Sequence, residues 1–136
     1  MKVNNSNNET VSHFQNKVSK LLLRHRSILD SLSKHVESTT RINRAISKTV
    51  TDCGCISVNA EKQQIPPETS LSECHKYLDS HIKGNLCENC KETVEEEIGN
   101  NLFYLAALCH LLDIELEEII GKEYERLNAL GLFHLS

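Results

Sequence analysis

The chain has 136 residues, a net charge of −4, 39% hydrophobic and 25% charged residues. This is the balance of one globular domain rather than a disordered segment. No run of about eighteen apolar residues is present to span a bilayer, and the opening MKVNNSNNET lacks the apolar stretch of a secretory signal. The expectation is a cytoplasmic protein whose six cysteines are thiols, metal ligands or small core residues before they are disulfides. With three Phe, three Tyr, no Trp, two Pro and five Gly, the composition favours an all-α fold with an aliphatic core. The predicted architecture is a small helical bundle of four to five helices.

Charge is divided unevenly along the chain. Residues 1–51 carry nine Lys/Arg against three Asp/Glu, and residues 85–136 carry three against eleven. Basic and acidic helices are therefore expected to pack on one another, within or between subunits. Scarce aromatics and the lack of a recognition motif disfavour a nucleic-acid partner.

Residues 1–9 read as a flexible tail, followed by a single helical domain over 10–136. Val18, Leu22, His25, Leu29, Leu32 and Val36 recur at helical spacing, widened by Val11, Phe14, Leu21 and Ile28. That pattern predicts one long helix over 10–36, whose length exceeds what one core needs and points to a homodimer formed through it. His25 and His35 read as core or boundary residues. Ser38-Thr39-Thr40 caps a second helix or bends a longer one, which ends near Thr51. Residues 56–68, with Pro66-Pro67, read as a loop in which Ile56 and Val58 are briefly extended. A short helix follows to about His81, burying Leu71, Cys74, Leu78 and Ile82 and stopping at Lys83-Gly84-Asn85.

The central helix is expected over Glu88 to Leu112. Val94, Ile98, Leu102, Leu105, Cys109 and Leu112 form one face, and Phe103, Ala106, Ala107 and Leu111 widen it. Asp113 is placed to cap a last helix that turns Leu116, Ile119, Ile120, Tyr124 and Leu127 inward and stops at Gly131. The apolar tail Leu132-Phe133-His134-Leu135 is expected to dock back on the body.

Two cysteine pairs, Cys53-Gly54-Cys55 and Cys87-x-x-Cys90, stand 31 residues apart. One or two intervening residues let both sulfurs of a pair converge on one ion, and four thiolates suit structural Zn²⁺ or an Fe–S centre. A reactive dithiol is the alternative, since a helix start lowers a thiol pKa. His75 and His81 are reserve ligands. Cys74 and Cys109, on apolar faces, read as buried small residues.

The stretch Glu96-Glu97-Ile98-Gly99-Asn100-Asn101-Leu102-Phe103-Tyr104-Leu105-Ala106-Ala107-Leu108, followed by Leu112-Asp113-Ile114-Glu115-Leu116-Glu117-Glu118-Ile119-Ile120, resembles the C-terminal half of MazG-like nucleoside triphosphate pyrophosphohydrolases. There an E-E-x-x-D helix runs into an apolar segment and a short acidic helix. The resemblance implies acidic residues on two helices holding Mg²⁺ against a nucleotide triphosphate. Glu96 and Glu97 match the two glutamates, and Asn100 stands where the motif has aspartate. The partner helix lacks its E-x-x-E and instead carries Arg41, Arg44 and Lys48 on one face, a phosphate-binding set. If that face meets Glu96 and Glu97, a cation replaces the metal. The implied protein is MazG-like in fold but non-catalytic or regulatory, with Mg²⁺-dependent pyrophosphohydrolysis and thiol-based sensing as the other readings.

Overall fold

The computed structural model of the chain describes residues 5–22 and 26–131, with side chains from residue 9 onward. Four helices carry it: α1 (Asn5–Leu21), α2 (Ile28–Lys48), α3 (Glu88–Leu111) and α4 (Leu116–Leu130). Two three-residue strands, β1 (Ile56–Val58) and β2 (Ile82–Gly84), pair antiparallel between α2 and α3. The helical bundle is as expected, with this small hairpin added. No helix among the described residues is long and apolar enough to cross a membrane.

The long first helix is two helices. α1 ends at Leu21 and α2 begins at Ile28, so the expected dimer-bearing rod does not exist as one element. The seven-residue step from Leu22 to Leu29 keeps apolar residues in phase across the break, and periodicity alone cannot see a break that preserves phase. His25, and the tail Leu132–Leu135 with its expected docking, lie outside the described residues. α1 begins at Asn5, inside the segment expected to be a tail.

α3 is central because it packs against both α1 and α2, its C-terminal half supplying the apolar contact with α1. Val18 and Leu22 meet Ala106, Ala107, Cys109 and Leu116 in the main core, flanked by Val11, Phe103, Leu105 and Leu111. Ala106 and Ala107, the small residues of this contact, are fully buried in it. Against α2 the contact is extensive and small-sided: Ser31, Ser38 and Thr49 are fully buried. Asn101 Nδ2 donates to Ser38 Oγ and Thr39 Oγ1, both at 3.0 Å, pinning the middle of α3 to the middle of α2. Ser38-Thr39-Thr40 is thus neither cap nor helix start. Its hydroxyls donate back to the carbonyls of His35 and Val36 inside an unbroken helix.

Three further expectations are corrected. Residues 69–81 form only a 3-10 turn at Cys74–Lys76, and Leu71 and Leu78 are exposed, because no other element packs there to reward a helix. Ile82 lies in β2 instead. Asp113 does not cap α4: it takes a positive φ of 57° that ends α3's run, and Glu115 stands at the N-cap without a side-chain cap bond. The capping work falls to Gln15 on α1, whose Oε1 accepts from Leu116 N while its Nε2 donates to Ile114 O, both at 2.8 Å. Lastly, α4 buries Leu116, but Ile119, Ile120, Tyr124 and Leu127 are exposed. Its C-terminal stop at Gly131 stands as expected.

Basic α2 does pack on α3, as the charge division implied, but the ion pairs run along single helices. Glu37 is held by Lys34 (3.0 Å) and Arg41 (3.1 Å), and Lys91 reaches Glu95 at 3.9 Å. Exposed pairs at this spacing contribute little to stability, because water screens them and the side chains lose freedom in forming them.

Candidate metal centre

The two cysteine pairs converge. The Sγ atoms of Cys53, Cys55, Cys87 and Cys90 all lie within 4.8 Å of one another. Cys53 and Cys87 sulfurs are 3.8 Å apart, far beyond the roughly 2.05 Å of a disulfide. In a tetrahedron with metal–sulfur bonds of about 2.3 Å, the sulfur–sulfur edge is about 3.8 Å. The cluster is therefore compatible in size with a four-thiolate site, and all six cysteines are free thiols.

Each pair is aimed by local structure. After Lys48 the helix widens into a single π turn, Thr49–Cys53, closed where Gly54 N donates to Thr49 O at 2.8 Å. Gly54 takes φ 76°, a left-handed value that suits glycine, and reverses the chain so that Cys55 returns toward Cys53. On the other side Cys87 is the N-cap of α3. Its sulfur accepts the Cys90 backbone N–H at 3.4 Å, which turns Cys87 and Cys90 toward one point.

The hairpin brings the halves together. Ile56 pairs with Gly84, Ser57 with Lys83 and Val58 with Ile82. Asn59 N to His81 O (2.9 Å) and the two Gln63–Asp79 bonds (2.9 and 3.1 Å) close the base of the loop. Gly84, at φ 90°, permits the crossing: a Cβ there would stand 2.6 Å from the Cys55 carbonyl oxygen. The sequence marks Gly84 as a helix stop; its actual task is a close approach beside a candidate ligand.

The Cys87 and Cys90 thiols are driven in opposite directions. The Cys90 backbone N–H and then its side chain stabilise the Cys87 thiolate, bringing its pKa down to about 7. Cys90, bonded to Cys87 and partly desolvated, is pushed up to about 12. A dication bound here would offset the charge of several thiolates. Cys53 is exposed, while the other three are half-buried. His75 and His81 are not members of the cluster. His75 Nδ1 is 2.8 Å from Ser72 O, and His81 belongs to the hairpin ladder. Cys109 is buried in the core as expected, and Cys74 is half-buried in its turn.

The acidic motif faces α2 only in part. Glu97 shares a cleft of about 450 Å³ with Arg41, Arg44, Lys48, Ala45 and Thr93. Asn100 lies in an adjoining cleft of about 200 Å³ with Lys34, Glu37, Ser38, Arg41 and Tyr104. Glu96 lines neither and is exposed. Three cations therefore line the cleft that holds one motif carboxylate, and Arg41 is already bonded to Glu37. Glu37, adjacent to Asn100, is a groove carboxylate that sequence reasoning passed over. Its pKa is held below the usual carboxylate range by hydrogen bonds from Lys34 and Arg41. Comparison of the chain with protein-family models, curated proteins and solved structures gives no match, so the MazG-like resemblance rests on the motif residues alone.

Proposed function

We propose that this chain is a non-catalytic, regulatory helical protein on a MazG-like scaffold, clipped by a structural zinc ion on Cys53, Cys55, Cys87 and Cys90. The observation that carries the metal reading is the convergence of four sulfurs within 4.8 Å. Four thiolates with no open position suit a closed structural site rather than a catalytic one, and soft donors favour zinc over magnesium. Such a clip joins the end of α2 to the start of α3 across a 31-residue connection that has little core of its own. A reducing, cytoplasmic setting keeps the thiols available.

The groove supports the non-catalytic part of the reading. Metal-assisted phosphoryl chemistry needs carboxylates converging from both helices to hold Mg²⁺. Here Glu97 shares its cleft with Arg41, Arg44 and Lys48 rather than with a second carboxylate, and Glu37 is engaged by Lys34 and Arg41. A panel of nucleoside and deoxynucleoside triphosphates with Mg²⁺ or Mn²⁺ should give no pyrophosphate. Turnover that Glu97→Gln abolishes would overturn it in favour of an active pyrophosphohydrolase. For the metal, cobalt(II) titration should saturate at one equivalent per chain with intense sulfur-to-metal charge-transfer bands. Weak bands typical of oxygen or nitrogen ligands would sink the four-thiolate assignment.

The exposure of Cys53 favours one second reading, a zinc-thiolate redox sensor. Mild peroxide should then release zinc reversibly and change the protein's assembly, whereas unchanged zinc content would end that idea.

A further inference from the structure

We infer that Cys53 and Cys87 are a redox-active pair, which a hydroperoxide joins as a disulfide that displaces the metal and takes over its task of tying α2 to α3. The pairing rests on the four-thiolate centre and gives its redox chemistry a defined product. Four converging sulfurs can pair in several ways. The habitual choice would be Cys87 with Cys90, a C-x-x-C at a helix start. The geometry favours a bond across the two motifs instead.

The hairpin sets that choice. Ile56 lies opposite Gly84 in antiparallel register. Counting outward beyond the ladder along both arms puts Cys55 opposite Asn85 and Cys53 opposite Cys87. The sulfurs follow the count, Cys53 Sγ standing 3.8 Å from Cys87 Sγ. A disulfide bond needs that gap to close by about 1.8 Å, and Cys53, which is exposed, has room for the side-chain rotation. Cys87 is equally free to turn, since it is the extended N-cap residue ahead of the first turn of α3. The rival partners are held. Cys55 Sγ donates to the Thr49 carbonyl at 3.8 Å, and Cys90 is half-buried inside the first turn of α3. Access points the same way, because peroxide arriving from solvent meets the exposed Cys53 sulfur first.

The chemistry balances with hydrogen peroxide as the only oxidant. The Cys53 thiolate attacks one peroxide oxygen, the O–O bond breaks, and the departing hydroxide is protonated to water. Cys53 is then a sulfenic acid, oxidised by two electrons. The Cys87 thiolate attacks the Cys53 sulfur, the S–S bond forms, the S–O bond breaks, and the second hydroxide also leaves as water. Two thiolates, two protons and one peroxide give one disulfide and two waters. Half of the ligand set is consumed, so the ion is released. The new bond spans the same 34-residue separation that the ion bridges, from the π turn after α2 to the N-cap of α3. Oxidation therefore exchanges one clip for another. A Cys87–Cys90 bond would instead leave the two halves untied.

Peptide mapping of the full, zinc-loaded chain tests the pairing after stoichiometric hydrogen peroxide and blocking of the remaining thiols with N-ethylmaleimide. Trypsin places Cys53 and Cys55 in the peptide 49–62, and Cys87 and Cys90 in the peptide 84–91. A bond across the motifs joins these peptides, whereas a bond within either motif leaves them separate. The expected product is the joined species, with fragmentation placing the bond at Cys53 and Cys87 and one zinc released per bond. Cys53→Ser should lower the yield of joined peptide at least about tenfold, and Cys55→Ser should preserve it. An internal Cys87–Cys90 bond as the main product overturns the inference, as does a joined yield that Cys53→Ser leaves unchanged. Zinc measured before the peroxide step separates the two readings. Joined peptides from a chain that held no zinc uphold the pairing and sink the metal centre. A zinc-loaded chain that forms none does the reverse.

Discussion

Replacing Gly84 with alanine should weaken metal binding although Gly84 supplies no ligand. An alanine there adopts φ near 90°, outside the ordinary range of an L residue, at a cost of about 1–2 kcal/mol. Its Cβ would also stand 2.6 Å from the Cys55 carbonyl oxygen. Relieving that contact moves β1 against β2 by at least about 0.5 Å, while a zinc–sulfur bond tolerates only about 0.2 Å. Cys55 is then the ligand displaced. If the metal-free hairpin relaxes freely, the strain falls on the bound form, and about 1–2 kcal/mol is a loss of about 5- to 30-fold in affinity. Gly54→Ala is the natural comparison. Gly54 has φ 76°, and a Cβ added there would meet nothing within 4 Å, so it carries the conformational cost without the collision. Competition against a chromophoric chelator at neutral pH should rank the affinities wild type, Gly54→Ala, then Gly84→Ala, with α-helical signal preserved. Equal affinity of Gly84→Ala and wild type would refute the coupling of hairpin to metal centre.

Further outcomes follow from the same geometry. Serine at Cys53, Cys55, Cys87 or Cys90 should each drop zinc retention through chelator challenge by at least about tenfold, whereas Cys74→Ser should leave it at the wild-type level by elemental analysis. Gln15→Ala should cost about 2–4 kcal/mol in denaturant unfolding, since the Leu116 N–H and Ile114 C=O both lose their partner at a buried helix start; a change under about 0.5 kcal/mol would contradict that role. In zinc-stripped protein Cys87, with its pKa lowered to about 7, should alkylate before Cys90, which keeps its proton to about 12. Because the thiolate is the reactive form, the Cys87 rate should rise through about pH 7 and level off above it, as mass spectrometry of the labelled peptides would read.

The cysteine centre was legible because its chemistry is local: one- and two-residue spacings constrain each pair whatever the fold does. α3 and the end of α4 were legible for a similar reason, their apolar runs and glycine stop being strong signals. What α2 buries was not. Its inner face is Ser31 and Ser38, continued by Thr49 in the π turn, polar residues whose small size admits α3. The Ser38 and Thr49 hydroxyls donate to the His35 and Ile46 carbonyls, and Ser38 also accepts from Asn101. The apolar stripe Leu29, Leu32 and Val36 is a true periodicity, but it marks a face the single chain leaves open. Residues 69–81 failed in the opposite way. Leu71, Cys74, Leu78 and Ile82 have helical spacing, but Leu71 and Leu78 are left exposed and Ile82 is taken by the hairpin. Gln15 and Glu37 were missed because their roles depend on residues 99 and 63 positions away respectively, a proximity that no spacing rule encodes.

The zinc content and ligand set of the purified protein bear most directly on the whole account. Elemental analysis of folded chain prepared without chelators should give one zinc per chain, and X-ray absorption should fit four sulfurs at about 2.3 Å. Less than about a tenth of an equivalent of zinc, or a shell containing nitrogen or oxygen in place of a sulfur, would contradict it.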